Sequence, residues 1–129
     1  MKNKRTKIFT GTPWEPKLGY ARAVQVGDTV YVSGTTSTDP SGKVLAPGDA
    51  YGQTVQTCQN IENALKRLGL GFEHVVRTRI YLTDMDRWED VAKGHAECFG
   101  DVHPATSFVG VTRLVDPEML VEIEALAVA

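Results

Sequence analysis

Val121-Glu122-Ile123-Glu124-Ala125-Leu126-Ala127, which follows His103-Pro104-Ala105-Thr106-Ser107 after a short connection, is the stretch on which the reading of this chain turns. Strict alternation marks it as a strand, with Val121, Ile123 and Ala125 on one face and Glu122 and Glu124 on the other. The segment is otherwise too apolar for an exposed edge, so two carboxylates lie near buried surface. Desolvation makes such groups costly unless they are partnered, so this face is either a satisfied ion-pair surface or a working site.

Working outward, 129 residues suffice for one hydrophobic core and are too few for two, so a single domain over residues 1–129 is expected. A hydrophobic fraction of 42%, a charged fraction of 23% and a net charge of −2 describe a globular chain rather than a disordered or membrane-spanning one. The basic start through Lys7 leads into no apolar run, so it reads as a flexible tail over residues 1–7 and not as a secretory signal. Cys58 and Cys98 fall at apolar positions of expected helices, which favours buried thiols over a disulfide and a cytoplasmic location. Net acidity, with no cluster of basic and aromatic residues, disfavours a nucleic-acid partner.

Two β-rich runs, Arg22 to Val26 and Thr29 to Val32, flank Gly27-Asp28 and form an antiparallel pair. Residues 34–49 read as a loop. Val55, Cys58, Ile61, Leu65 and Leu68 recur at helical steps, with Gly69 placed to end that helix. Val75 to Thr83 alternates as a strand. A second helix runs from Trp88 to Gly100, introduced by a capping box of Asp86 and Glu89. Thr106 to Leu114 and Leu120 to Val128 close the chain as strands turning at Asp116-Pro117. The order β-β-α-β-α-β-β predicts an α+β fold with a mixed sheet and both helices on one face. The other face carries apolar residues with no helix to cover them, which predicts homo-oligomerisation.

If the last two strands pair as a hairpin, Thr106, Phe108, Gly110 and Thr112 share the helix-free face with Leu120, Glu122 and Glu124. Glu122 then lies near Thr112 and roughly 20 Å from Thr106, at about 3.3 Å per residue. The two ends can share a small-molecule pocket only across subunits. His74, His95 and His103 show no metal-ligand spacing; His95 and Cys98, one turn apart, read as core packing, and no metal is expected. Ser33 ends a strand and either presents its hydroxyl to a cleft or satisfies nearby backbone. Gly11-Thr12-Pro13-Trp14-Glu15-Pro16 is either a packed N-terminal arm or a cover for a pocket edge.

Gly19-Tyr20, Val30-Tyr31-Val32-Ser33-Gly34, Gln53-Thr54 through Asn60-Ile61, Tyr81-Leu82-Thr83-Asp84, Pro104-Ala105 and the closing strand, in this order, resemble the Rid family, also called YjgF or reactive-intermediate deaminases, from about Ile8 onward. The resemblance implies a chorismate-mutase-like α+β fold, a homotrimer with ligand clefts between subunits, and hydrolysis of reactive imines and enamines without metal or organic cofactor. In active members an arginine directly after Pro-Ala holds the substrate carboxylate, a last-strand glutamate handles water, and Tyr and Ser position the ligand. Those roles fall on Thr106, Glu122, Tyr20 and Ser33. Thr106 is the departure, since a neutral hydroxyl stands where a bidentate cation is usual. An asparagine of the second helix is replaced by Ala92, and His95 stands where an aromatic residue is common. The catalytic candidate is therefore Glu122, with Tyr20, Ser33, Thr106, Phe108 and Arg22 as substrate-binding candidates. In one variant of this reading Arg22, close to Tyr20 in sequence, supplies the missing positive charge from another wall. The expected ligand is a small molecule other than the usual 2-aminoacrylate-type carboxylate. A non-catalytic binding protein, with the glutamates paired to Arg77, Arg79 or Arg113, is the alternative, and the endoribonuclease or translation-inhibitor role described in the family is the least favoured.

Overall fold

The computed structural model describes residues 4–129. Six strands, β1 (Arg5–Ile8), β2 (Ala23–Val26), β3 (Thr29–Thr35), β4 (Val75–Leu82), β5 (Ala105–Gly110) and β6 (Val121–Val128), form one sheet in the order β1-β2-β3-β6-β4-β5. The helices are a short α1 (Trp14–Leu18), α2 (Ala50–Lys66) and α3 (Trp88–Phe99). This is the expected α+β architecture.

One side of the sheet forms the core. Ala23, Val30, Val32, Ile80, Leu82, Val121, Ile123 and Ala127 are buried there with Ile61 and Leu65 of α2 and Val91 and Phe99 of α3. In α2 the inward stripe Thr54, Cys58, Ile61, Leu65 follows the helical repeat. Asp49 caps the helix by accepting the Gly52 N–H at 2.9 Å, and Gly69, at φ 77°, supplies the left-handed residue after its end. The opposite face exposes Tyr31 and Val128 beside Arg77, Arg79 and Leu126.

The expected closing hairpin is not present. β6 lies between β3 and β4, antiparallel to both, while β5 is an edge strand parallel to β4. Two physical reasons account for this. A helix between two strands returns the chain parallel to its start, so α3 delivers β5 alongside β4. The closing strand, whose Val121, Ile123 and Ala127 are wholly buried, gains most from a central position, and residues 111–120 carry the chain there. The register also corrects the expected face. Thr106 is level with Thr78 and Phe108 with Ile80, so both lie on the helix side, whereas Glu122 and Glu124 pair with Tyr81 and Arg79 on the open side.

At the N-terminus, the tail expected through Lys7 is a strand from Arg5, paired antiparallel with β2; residues 1–3 lie outside the described residues. The expected Asp86/Glu89 capping box does not form. Asp84 instead caps a single 3₁₀ turn by accepting the Asp86 N–H at 3.0 Å, and α3 continues from it without a side-chain cap. The loop over residues 36–49 is closed on itself by a Thr38–Val44 bridge and by Asp39, which accepts from Ser41 and Lys43.

Candidate functional site

Between Val32 and Thr35 the pairing of β3 with β6 slips, leaving Ser33 and Gly34 as a bulge opposite Glu124. The Glu122 carboxylate lies directly over Gly34. A Cβ there would stand 2.7 Å from Glu122 Oε2 and 2.9 Å from its Cδ, so only glycine leaves room. The cleft in front of this carboxylate has a volume of about 390 Å³ and brings together Tyr20, Arg22, Ser33 and Glu122, with Trp14, Met119 and Val115 as apolar walls. Four of the six residues expected at the site therefore meet within one chain.

The charges around the cleft are unequal. Glu122 is half-buried and engages in no side-chain hydrogen bond among the described residues. Burial raises its pKa, Arg22 opposes that, and Glu124 adds to it. Glu124, two residues on, forms an ion pair with Arg79 at 3.4 Å and accepts the Tyr81 hydroxyl. Two carboxylates of one strand face thus have opposite circumstances.

Arg22 is almost fully buried, and its guanidinium is already engaged. It donates to Gly34 O at 2.7 Å, Thr35 Oγ1 at 3.0 Å and the Tyr20 hydroxyl at 3.0 Å, and faces Glu15 at 3.7 Å. Burial works to raise the pKa of Glu15, but donation from the Thr10 N–H and hydroxyl and the Thr12 hydroxyl, together with Arg22, overcomes it and leaves the pKa lowered. Arg22 thus lines the cleft with its charge countered from behind. The Tyr20 hydroxyl accepts a hydrogen bond from Arg22 and keeps its own O–H to donate to a ligand. The Ser33 hydroxyl donates to Ala21 O at 2.7 Å, so the residue both satisfies backbone and presents its lone pairs to the cleft.

Thr106 and Phe108 are not in this cleft. Thr106 is level with Ala125 of β6, three positions (about 10 Å) along the strand from Glu122, two strands away and on the other face. Both side chains are exposed on the edge strand. Thr106 Oγ1 stands 2.8 Å from Thr78 Oγ1, which in turn is 2.9 Å from His95 Nε2. His95 therefore bonds to a threonine and packs on Phe99 at 4.8 Å, and among the described residues no group of three or more His, Cys, Asp or Glu is placed to hold a metal. Cys58 and Cys98 are free thiols, the first buried and the second partly exposed.

Sequence reasoning missed the walls and the relay. Val115 and Met119 reach the cleft only because β6 inserts into the sheet, and no local pattern signals that. Trp14 had a signal, the rigid aromatic segment before Gly19-Tyr20. Thr78 and His95 had none, since their bond joins a helix to a strand.

Comparison with known proteins identifies the family. An uncharacterised protein of Streptomyces coelicolor is 38% identical over 122 residues, covering 94% of this chain and 90% of its own. The 2-iminobutanoate/2-iminopropanoate deaminase of Mus musculus is 35% identical over 123 residues, or 95% and 90%. The crystal structure of Rv2704 from Mycobacterium tuberculosis, of the YjgF/YER057c/UK114 family, matches with a TM-score of 0.88 at 43% identity, over 98% of this chain and 100% of that one. The family model Endoribonuclease L-PSP matches residues 11–129, and the chain belongs to that family, the YjgF or Rid family.

Proposed function

We propose that the protein hydrolyses a reactive imine or enamine to the carbonyl compound and ammonia, without metal or organic cofactor, at intersubunit clefts of a homotrimer. The observation that carries this is Glu122, a half-buried carboxylate with a raised pKa that faces a cleft and has no internal partner. Glu122 takes a proton from water as the water oxygen attacks the imine carbon and returns it to the nitrogen; the hydroxyl proton of the tetrahedral intermediate then passes through the same carboxylate to the nitrogen as the carbonyl forms and ammonia leaves. An enamine first takes a proton at carbon to become the imine. Tyr20, through its free phenolic proton, and Ser33 orient the reacting group. The name of the mouse relative supports this chemistry for the family.

The substrate we propose is uncharged, in contrast to the usual carboxylate. Glu122 and Glu124 line the cleft, Arg22 is countered by Glu15, and position 106 offers a hydroxyl. The trimer is supported by the exposed Tyr31 and Val128 on the open sheet face and by the separation of Thr106 and Phe108 from Glu122, which a neighbouring subunit can bridge. A cytoplasmic location belongs to the same proposal; no helix among the described residues is long and apolar enough to cross a membrane.

The test is ammonia release from a neutral imine and from 2-iminopropionate, generated in situ, by wild type and Glu122→Gln. Turnover of the neutral imine that vanishes in the variant supports hydrolysis; ligand binding with no turnover in wild type leaves a binding protein. Sedimentation as a monomer at low micromolar concentration would overturn the shared cleft.

A further inference from the structure

A second cavity, of about 330 Å³, is formed within one chain between the N-terminal segment, the loop after β3 and α2. It shares Arg22, Thr36 and Thr38 with the Glu122 cleft but is lined by no residue of β6. Gln56, Asn60 and Asn63 reach it from one stripe of α2, at steps of four and three residues. Its walls are pinned. Asn60 Nδ2 donates to Thr36 O and Thr38 O, each at 2.9 Å, while Asn60 Oδ1 accepts from Gln56 Nε2 at 3.0 Å. The loop is closed by the Leu45 N–H donating to Ser37 O at 2.7 Å and by the Ser37 hydroxyl donating to Leu45 O at 3.0 Å.

Each wall keeps polar groups that the chain itself does not use. Thr36 is only 8% exposed, and the one contact of its hydroxyl, with the Thr38 hydroxyl, is at 3.5 Å, beyond a good hydrogen bond. Buried hydroxyls are as a rule better satisfied than this, so Thr36 points to a partner in the cavity. Among the described residues Gln56 Oε1, Asn63 Nδ2 and one oxygen of Asp39 have no partner either. Donation from the Ser41 hydroxyl, and from the Lys43 and Ser41 N–H groups, lowers the Asp39 pKa and keeps that carboxylate ionised. Two acceptors, one donor and two hydroxyls that serve as either therefore surround the space. Its one cation is Arg22, which faces Glu15 at 3.7 Å and spends its donors on Gly34 O, Thr35 and Tyr20, so an anion would meet Asp39 and no free positive charge. The complement is a neutral molecule that donates and accepts from successive atoms, as a run of hydroxyl-bearing carbons does. Pro40 and Leu45 offer apolar surface to its C–H groups, and the volume is at the small end of ligand sites, about right for six carbons.

We infer that this cavity is a second ligand site, which takes a neutral polyhydroxylated molecule of the size of a sugar alcohol. Asp39, Gln56, Asn63, Thr36 and Thr38 make the contacts, and Asn60 holds the wall from which two of them project. The site is complete in one chain and does not depend on the reaction proposed at Glu122. It adjoins that reaction all the same, because Arg22 lines both spaces and donates to Gly34 O, beside the glycine over which the Glu122 carboxylate lies.

Titration of the intact protein with sorbitol, gluconate and cyclohexanol, followed by backbone and side-chain amide shifts, tests this without turnover. Sorbitol should bind saturably, with the largest shifts at the Gln56 and Asn63 side-chain amides and along residues 36–39. Gluconate, repelled by Asp39, and cyclohexanol, with a single hydroxyl, should each bind at least about five- to tenfold more weakly, the equivalent of one neutral hydrogen bond or more. Asn63→Ala, at an exposed helical position where alanine is well tolerated, and Thr38→Val should each weaken sorbitol by about the same factor. Shifts that grow linearly without saturating would overturn the inference and leave a solvated groove. So would equal affinity for the three compounds, which the wild type alone decides even if Thr38→Val disturbs the loop. Sorbitol affinity undiminished in Asn63→Ala, or shifts centred on Met119 and Glu122, would also overturn it, the latter by placing the polyol in the neighbouring cleft.

Discussion

The wall around Glu122 and the edge around Thr106 are built on opposite principles. Glu122 lies on a central strand paired on both sides, over a glycine bulge, with Arg22, Tyr20 and Ser33 contributed by the same chain. Thr106 lies on a strand paired on one side only, its support coming from behind through Thr78 and His95 and its outer face left open. The first environment is complete in one chain and fixes a charge. The second holds a hydroxyl between Thr78 and Pro104 O and leaves its outer side open. In the proposed cleft, then, reactivity is written into the centre of the sheet and selectivity into its edge, and the two can be changed separately.

The hardest blow to the central side is Glu122→Gln, which keeps the shape and removes the base. Hydrolysis should fall by about 10²- to 10⁴-fold, the usual contribution of a positioned general base, with circular dichroism unchanged. Gly34→Ala should reach about 10²-fold without altering any ionisable group, because a Cβ placed 2.7 Å from Glu122 Oε2 must displace the carboxylate, and displacements near 1 Å cost that much. Measuring kcat separately from KM checks this; a KM effect alone would mean that Gly34 shapes the cleft and not the base.

Thr106→Arg attacks the edge side. Restoring a bidentate cation should raise kcat/KM for 2-iminopropionate by at least about 30-fold, the equivalent of about 2 kcal/mol, while leaving Glu122 untouched. Equal gain for a neutral imine would show that the two sides are not separable.

What could be read from the residues alone follows the same division. Alternation in the closing strand, the helical stripe of α2 and the Gly27-Asp28 turn are local patterns, and each appears as expected, as does the pairing of Glu124 with an arginine. Strand order is a property of distant pairing. The insertion of β6 between β3 and β4 moved Thr106 and Phe108 to the other face, because register decides parity and no turn residue fixes register across a helix. Glu122, Tyr20 and Ser33 were legible as a group through the family resemblance, and Arg22 through its closeness to Tyr20 in sequence. The engagement of Arg22 by Glu15 was not, as it depends on α1 folding back over β2.

The smallest expected effect is on stability, and it sets Glu122 against Glu15, the other carboxylate near Arg22. Burial raises the Glu122 pKa, so the native state holds a proton there more readily than the unfolded chain does. Its contribution to stability is complete below the ordinary carboxylate value of 4.5 and is lost as pH rises through the raised native value. Near pH 8 the wild type therefore carries an ionised, half-buried and unpartnered group, and Glu122→Gln should melt a few degrees higher, the advantage disappearing below about pH 4.5. Glu15 has the opposite sign: its pKa is lowered, so its stabilisation is present above 4.5 and is lost as pH falls through the depressed native value. Glu15→Gln should melt lower at neutral pH and approach the wild type in acid. Thermal denaturation at one protein concentration, from well below pH 4.5 up to pH 8, reads both curves, since concentration would otherwise shift Tm in an oligomer. A stabilised Glu122→Gln that has lost turnover would mean that the cleft retains an ionised carboxylate at the expense of its own stability, which is expected of a working base and not of a structural ion pair such as Glu124 with Arg79.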